Sequence, residues 1–567
     1  MPDYDLIVRN GIVVDGTGLP AYKADLAVRG GKIAHISGKL SGSAKRELDA
    51  TGCYVGPGAI DLHCHYDAQV NWDPYCTLSG WHGVTSLTIG QCGFGFAPTK
   101  PEDREANMQM MSRIEAIPMA SMREGMRWDW VTFPEYLDSL DRQGLGLNIA
   151  SLFPYSPLRA FVAGVADSRE RTKLTDRELN EVKSIFYDGM KAGAFGFSAD
   201  KSLEDRPDDG SYLPTQVAAD EEYFALAEVL GDFGVGHIGW TRGIPDRMGA
   251  NQDREFLTKL MDLSGRPLQW GLVMQQEGKP EMHREQLAWL EDMHRRGYPM
   301  YAQAMSVNIS QKFTMEDYNM FDTSPHWLQA TLGTVDDRMR KLADPAVRVG
   351  LRADMDETGR DTPEAWDRVK LLEVQNQRNH QYEGLSVGEV ARREGKHPVD
   401  AFLDLSVDEG LKCLFASMDQ HIPLGEILSH PATHISLSDG GAHTRFHTAS
   451  TWPTYFLSHW VRDEHLMTIE QAHYKMSALP AWIAGFRDRG TLREGLAADI
   501  IVYDLDRLGF AEGDPVYATD FPGQERRLIQ KAKGYRYTIV NGVVTFEEDR
   551  CTGALPGKVL RSYDMVT

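Results

Sequence analysis

Eight short apolar runs, at 56–65, 83–91, 146–153, 194–199, 234–240, 267–273, 298–304 and 433–439, alternate with stretches of a different periodicity. Three of those stretches, 218–230, 252–264 and 284–295, carry apolar residues at the spacing of an amphipathic helix. A strand followed by a helix, repeated, marks parallel βα units, because parallel neighbours need a long crossover and a helix supplies it. Eight such units close on themselves, so the expected core is α/β, a (β/α)8 TIM-type barrel. The interval from about 305 to 432, between the seventh and eighth runs, is far longer than an ordinary connection. It predicts an inserted helical subdomain or lid.

The two ends of the chain read differently. Residues 6–14 form two β-runs around Asn10-Gly11, residues 537–546 repeat the pattern around Asn541-Gly542, and 498–504 is a further strand. Asn-Gly is the strongest short hairpin signal, since both residues tolerate the positive φ of a type I′ turn. A small discontinuous β-sandwich domain is therefore expected from 1–56 and 486–567, flanking a barrel over 57–485.

With 42% hydrophobic and 25% charged residues and no apolar run of about 18, the 567-residue chain has the composition of a soluble protein. It opens on acids, not on a basic region and an apolar stretch, so no signal peptide is read and the cytoplasm is the expected location. Six scattered cysteines do not form a disulfide framework, and a special cysteine is more naturally a ligand. A formal charge of -22 opposes binding to nucleic acid or an anionic membrane and favours a small-molecule partner. It is compatible with a homo-oligomer.

The chemistry begins at His63 and His65. Strand alternation projects the two imidazoles in one direction and sends Ile60, Leu62 and Cys64 to the opposite face, where a barrel strand meets its helices. Asp61 and Asp67 flank the pair. Barrel enzymes build their sites at the C-terminal ends of strands, and each candidate reads as lying there: His63 and His65 on the first, Cys92 on the second, His237 on the fifth and Asp439 on the eighth. Two imidazoles and a thiolate suit zinc and disfavour magnesium or calcium. Cys92 has rival readings as a buried small hydrophobe or as a nucleophile, and the latter needs a base and an oxyanion hole. His237 is read as a ligand, with a polar strand end as the alternative. Asp439 is read as a carboxylate that binds metal, takes a proton from water and returns it to a leaving amine; the alternative is a helix cap. His443 and Arg445, with His447, lie in a polar loop that contacts substrate or simply covers the barrel mouth.

These residues resemble the amidohydrolase superfamily, and within it the D-aminoacylase branch of N-acyl-D-amino-acid deacylases. The resemblance covers nearly the whole chain. It rests on the ordered series Gly83-Val-Thr-Ser86, Gly90-Gln-Cys-Gly-Phe-Gly95, Phe133-Pro-Glu-Tyr-Leu-Asp138, Asn148-Ile-Ala-Ser151, Gly193-Ala-Phe-Gly-Phe-Ser198, Leu479-Pro-Ala481, Asp488-Arg-Gly490, Gly495 and Ala498-Asp499. It implies zinc, one ion or two with one more fully occupied, and a metal-bound hydroxide attacking the amide carbonyl of a small molecule. The family ligands carry over onto His63, His65, Cys92 and His237, and the catalytic aspartate onto Asp439. Cys92 would belong to both metal positions.

One departure stands out. Where the family has a sixth-strand histidine and a nearby lysine that holds the substrate carboxylate, this chain has Leu272 and Met274. The second metal position is then lost, weakened, or completed by Gln275, Gln276 or Glu277. A substrate carboxylate would need another cation, for which Arg242 and Arg445 are candidates. Hydrolysis of a carbamate, urea, cyclic amide or ester stays open on the same site, as does a catalytically silent metal-binding or interaction protein.

Overall fold

The computed structural model describes residues 2–202, 205–207, 209–241, 251–275, 280–316, 321–322, 324–511 and 513–565. Its centre is a parallel barrel whose strands are Ala59–Asp61, Val84–Ile89, Asn148–Ser151 continued by Phe153–Pro154, Gly196–Asp200, His237–Thr241, Leu268–Trp270, Met300–Gln303 and Thr433–His434. Each pairs in parallel with its neighbour in the two ladders they form. The ladders join at Leu152, whose N–H donates to the Ile89 carbonyl at 3.0 Å. They close where the Leu62 N–H donates to the Ser436 carbonyl at 3.2 Å and the Ser438 N–H to the His63 carbonyl at 3.1 Å.

The first strand corrects one expectation. Its ladder ends at Asp61, and the chain bends at Leu62 and His63. Ile60 and Leu62 pack with Ala150, Leu152 and Phe195 from neighbouring strands and with Leu479, Ile483 and Phe486, whereas Ala59 and Cys64 join the larger core containing Val84 and Leu87. The bend resets the alternation, so Ile60, Leu62 and Cys64 do not share a face. The imidazoles converge because of the bend, not because a strand runs on through them.

The long interval holds more than helices. A three-stranded antiparallel sheet, Ile309–Phe313, Leu414–His421 and Leu371–Glu373, carries the helices Pro325–Thr331, Val335–Ala343, Pro345–Glu357, Pro363–Arg368, Val387–Glu394 and Pro398–Asp408. Four of these start with proline at the first helical position, where its missing N–H costs nothing. Their core is separate from that of the barrel and centres on Phe402, which touches the rings of Phe313, Trp327, Trp366 and Phe415. Phe402→Ala is expected to destabilise this unit by about 3–5 kcal/mol. Denaturant unfolding measures it, and a loss below about 1 kcal/mol, the size of a surface change, would show that Phe402 does not hold the insertion together.

Both termini build one nine-stranded sheet, in which Tyr4–Val13 and Tyr54–Pro57 meet Ile500–Tyr503 and Tyr535–Val540. The two Asn-Gly pairs behave differently. Asn541-Gly542, with φ of 46° and 79°, turns Tyr535–Val540 into Val543–Glu547 as a hairpin. Asn10, with φ of 61°, makes a bulge inside the single strand Tyr4–Val13, whose register against Tyr22–Arg29 slips between Val8 and Gly11. Asp25 accepts the Asn10 N–H at 2.8 Å and holds the bulge to the neighbouring strand. Among the described residues no helix is long and apolar enough to cross a membrane.

Candidate metal and catalytic site

Three loops meet at the C-terminal mouth of the barrel. The turn after the second strand runs through Gly90, Cys92 and Gly93 with φ of 76°, 56° and 73°, a left-handed path that thrusts the Cys92 sulfur inward. Gly90 is obligatory there, since a Cβ would stand 2.4 Å from the Leu152 carbonyl oxygen. Asp67 accepts the Gly90 N–H at 3.0 Å, Ser198 accepts the Gly93 N–H at 2.9 Å, and Gln91 donates to the Leu62 carbonyl. The cysteine turn is thus bolted to the His63–His65 segment. Asp61 in turn accepts the His63 N–H at 3.2 Å. The loop after the eighth strand interleaves from the other side: the Asp439 N–H donates to the His63 carbonyl at 3.1 Å and the His65 N–H to the Gly440 carbonyl at 2.6 Å.

The result is a cluster in which one ligand atom each of His63, His65 and Cys92 lies within 4.8 Å of the others, all buried. Cys92 Sγ is 3.4 Å from His63 Nε2 and 3.9 Å from His65 Nε2. Asp439 Oδ1 is 3.6 Å and 3.3 Å from the same two nitrogens.

The cluster sets two imidazoles, a thiol and two carboxylates against one another away from water. Burial lowers the His63 pKa to about 4, which leaves a neutral donor. Burial also disfavours charge on His65, but Glu115, Asp439 and Cys92 outweigh it and raise that imidazole well above its ordinary value. Burial pushes the Cys92 thiol up to about 12 despite His65. For Asp439 burial is overcome by the hydrogen bond and charge of His65, with His63 and His443 adding, and the carboxyl is held well below the usual range. Two imidazoles, a thiol and an ionised carboxylate, with the positive charge lodged as a proton on His65, fit zinc.

The remaining candidates divide. His237 is the first residue of the fifth strand, not its end, because that strand runs His237–Thr241 in place of the expected 234–240. Thr241 is the residue that reaches the site, its Oγ1 3.2 Å from Cys92 Sγ. Four residue steps, about 13 Å at 3.3 Å each, separate the two. His237 lies deep in the barrel beside Gln269 and Ala484, outside the ligand cluster. Arg445 pairs with Glu525 at 2.8 Å. Arg242 lies outside the described residues. His443 does reach the site, its Nε2 3.5 Å from Glu115 Oε2, and burial lowers its pKa to about 4. His447 stacks obliquely on it with ring centres 5.7 Å apart.

Glu115 escaped the sequence reading. It is buried at the end of the helix Arg104–Ile114, its Oε1 3.7 Å from His65 Nε2, and its carbonyl accepts the His443 N–H at 2.7 Å. Burial raises its pKa against the pull of His65. An acid set among Ile114, Ala116 and Ile117 was the available signal, because a lone carboxylate in an apolar run is either costly or functional.

A family model described as the amidohydrolase family matches residues 46–546. The chain belongs to that family. This amidohydrolase is 26% identical to the D-aminoacylase of Alcaligenes xylosoxydans xylosoxydans over 562 residues, covering 98% of this chain and 97% of that one. The crystal structure of a D-aminoacylase shares its fold with a TM-score of 0.67 at 24% identity, covering 98% of this chain and all of the other. An N-acyl-D-glutamate deacylase from Bordetella bronchiseptica, complexed with zinc and a phosphonate inhibitor, gives 0.65 at 22% identity over 98% and 99% of the two chains.

In this amidohydrolase the sixth strand ends at Trp270, and Leu272 follows half-buried with no donor atom to offer. Gln275 is exposed, while Gln276 and Glu277 lie outside the described residues. From the fifth strand the Thr241 hydroxyl approaches Cys92 Sγ to 3.2 Å.

Proposed function

We infer that this amidohydrolase is a metal-dependent hydrolase that cleaves a C–N amide bond in a small molecule. The observation that carries the reading is the convergence of His63, His65 and Cys92 with Asp439 Oδ1 3.3 Å from His65. His63, His65 and Cys92 would hold one zinc ion, with Asp439 as a further donor. Zinc, when bound, supplies Lewis acidity toward the substrate carbonyl and lowers the pKa of water to about 7.

The chain's own groups supply the proton traffic. Ionised Asp439 is placed to take a proton from the attacking water and to return it to the departing nitrogen. Glu115 approaches the same Nε2 of His65, and its contacts with His443 tie the eighth-strand loop to the site. D-aminoacylase and N-acyl-D-glutamate deacylase among the relatives make an N-acyl-D-amino acid the first substrate class to test. Met274, where the resemblance leads one to expect a lysine, favours a second reading: an amide, carbamate, urea, cyclic amide or ester without a free carboxylate. Assay of both groups of compounds with the zinc-loaded protein separates them. Elemental analysis is expected to find one zinc per chain; no zinc, and no turnover after reconstitution, would leave only a silent protein. Six free cysteines, five of them buried, support a reducing, cytoplasmic setting.

Zinc uptake is expected to depend strongly on pH. The thiol of Cys92, pushed up to about 12, is protonated in the metal-free protein at neutrality and must lose its proton on binding. His65, raised well above its ordinary value, loses another. Apparent affinity then rises at least about tenfold per pH unit as pH increases through neutrality. Calorimetry in buffers of different ionisation enthalpy counts the protons, and an affinity flat between pH 6 and 8 would rule out this ligand set.

A further inference from the structure

The seventh strand ends on Gln303, which is buried and places Oε1 2.8 Å from His63 Nδ1. The other ring nitrogen of His63 faces the ligand cluster, 3.4 Å from Cys92 Sγ and 3.6 Å from Asp439 Oδ1. A neutral imidazole has one N–H and one lone pair, and an amide oxygen can only accept. With Oε1 toward the ring, the proton sits on Nδ1 and the lone pair of Nε2 points at the cluster. The reverse arrangement would drive an N–H into the cluster and abolish donation.

We propose that Gln303 is a positioning residue of the metal centre, fixing the ring orientation and the tautomer of His63. The inference rests on the metal-centre reading above. Two further observations support it. The chain just past the sixth strand makes room for the amide at Gly271, where a Cβ would lie 3.2 Å from Gln303 Oε1 and 3.3 Å from its Cδ. The residue next to it is Leu272, so the segment that lacks an imidazole ligand instead opens space for the group that orients another one. In addition, Gln303 Nε2 is buried with no partner in the structure, a cost that space-filling does not explain and an apolar side chain would avoid. His65 differs from His63, for its Nδ1 is buried without a hydrogen-bond partner. His63 is therefore the anchored imidazole of the pair.

The test is zinc affinity, measured on the full chain by competition with a chromophoric chelator. Gln303→Leu is expected to weaken zinc binding about tenfold to a hundredfold, the usual effect of removing a hydrogen-bond partner of a ligating histidine. Gln303→Glu, whose carboxylate accepts the same N–H, is expected to retain wild-type affinity. Gly271→Ala, which displaces the amide without altering it, should weaken binding severalfold alone and add nothing in the Gln303→Leu background. A folded Gln303→Leu protein with wild-type affinity overturns the proposal, as does a Gly271→Ala effect that persists undiminished in that background. If Gln303→Leu does not fold, the Gly271→Ala protein decides: weakened binding supports the role and unchanged binding refutes it. A wild-type chain that takes up no zinc removes the metal centre and this inference together, whereas zinc bound equally well by wild type and Gln303→Leu removes the inference alone.

Discussion

Asp439→Asn is expected to lower kcat by about 10²–10⁴-fold, the usual contribution of general acid–base catalysis, while zinc content stays near one per chain. The carboxylate stands 3.3 Å and 3.6 Å from the two imidazoles, and the charge of His65 keeps it ionised. An amide of the same shape still fills the position and can still offer an oxygen, but it cannot accept and return a proton. His63, His65 and Cys92 remain to hold the metal. The backbone of the loop is also unaffected, because residue 439 is held in its left-handed conformation, φ 55°, by its N–H bond to the His63 carbonyl. Asparagine tolerates that region as well as aspartate does. Steady-state kinetics alongside elemental analysis measure both halves of the prediction, and full activity in the Asp439→Asn protein would end the proton-transfer role.

His63→Ala is expected to remove zinc and turnover together. It deletes one of three clustered donors, leaves Gln303 without its hydrogen-bond partner, and opens a gap between Cys92 and the seventh strand. His65, Cys92 and the Asp439 carboxylate are left, one donor fewer than the wild-type set, so zinc is held far more weakly against a chelator. Zinc should fall from one per chain toward zero after dialysis, and the thermal midpoint should lose whatever the metal contributes by binding only the folded state. Retention of a full zinc equivalent would place the metal elsewhere in the barrel.

Much of the architecture was legible because it follows from local periodicity. The alternation of apolar runs with helical stretches located all eight barrel strands, and the rule that sites sit at strand ends picked out His63, His65, Cys92 and Asp439, which the structure brings together. The same rule read His237 as a strand end, whereas the fifth strand begins three residues later than the apolar run and has His237 as its first residue. Periodicity identifies a strand well and its boundaries poorly. The Asn-Gly pair at Asn541 made a hairpin and the pair at Asn10 a bulge, since both conformations use the same positive φ and only the partner strands choose between them. The sheet inside the insertion was hidden for a related reason: Leu371–Glu373 is three residues long and takes its identity from Leu414–His421 beside it.

What the sequence determined by itself is the donor chemistry: two imidazoles separated by one residue, a cysteine in a glycine-rich turn, and an aspartate ahead of two glycines, each carried by a few neighbouring residues. What only the tertiary structure decided is which groups complete the site. Glu115, Thr241 and Gln303 come from a helix end and from two other strands, lie 23 or more positions from any ligand of the cluster in the chain, and reach it only because closure of the barrel brings its strand ends and loops to one mouth. Spacing along the chain carries information about one face of one element, whereas the second side of a metal site is made by residues whose proximity exists only after the sheet has closed.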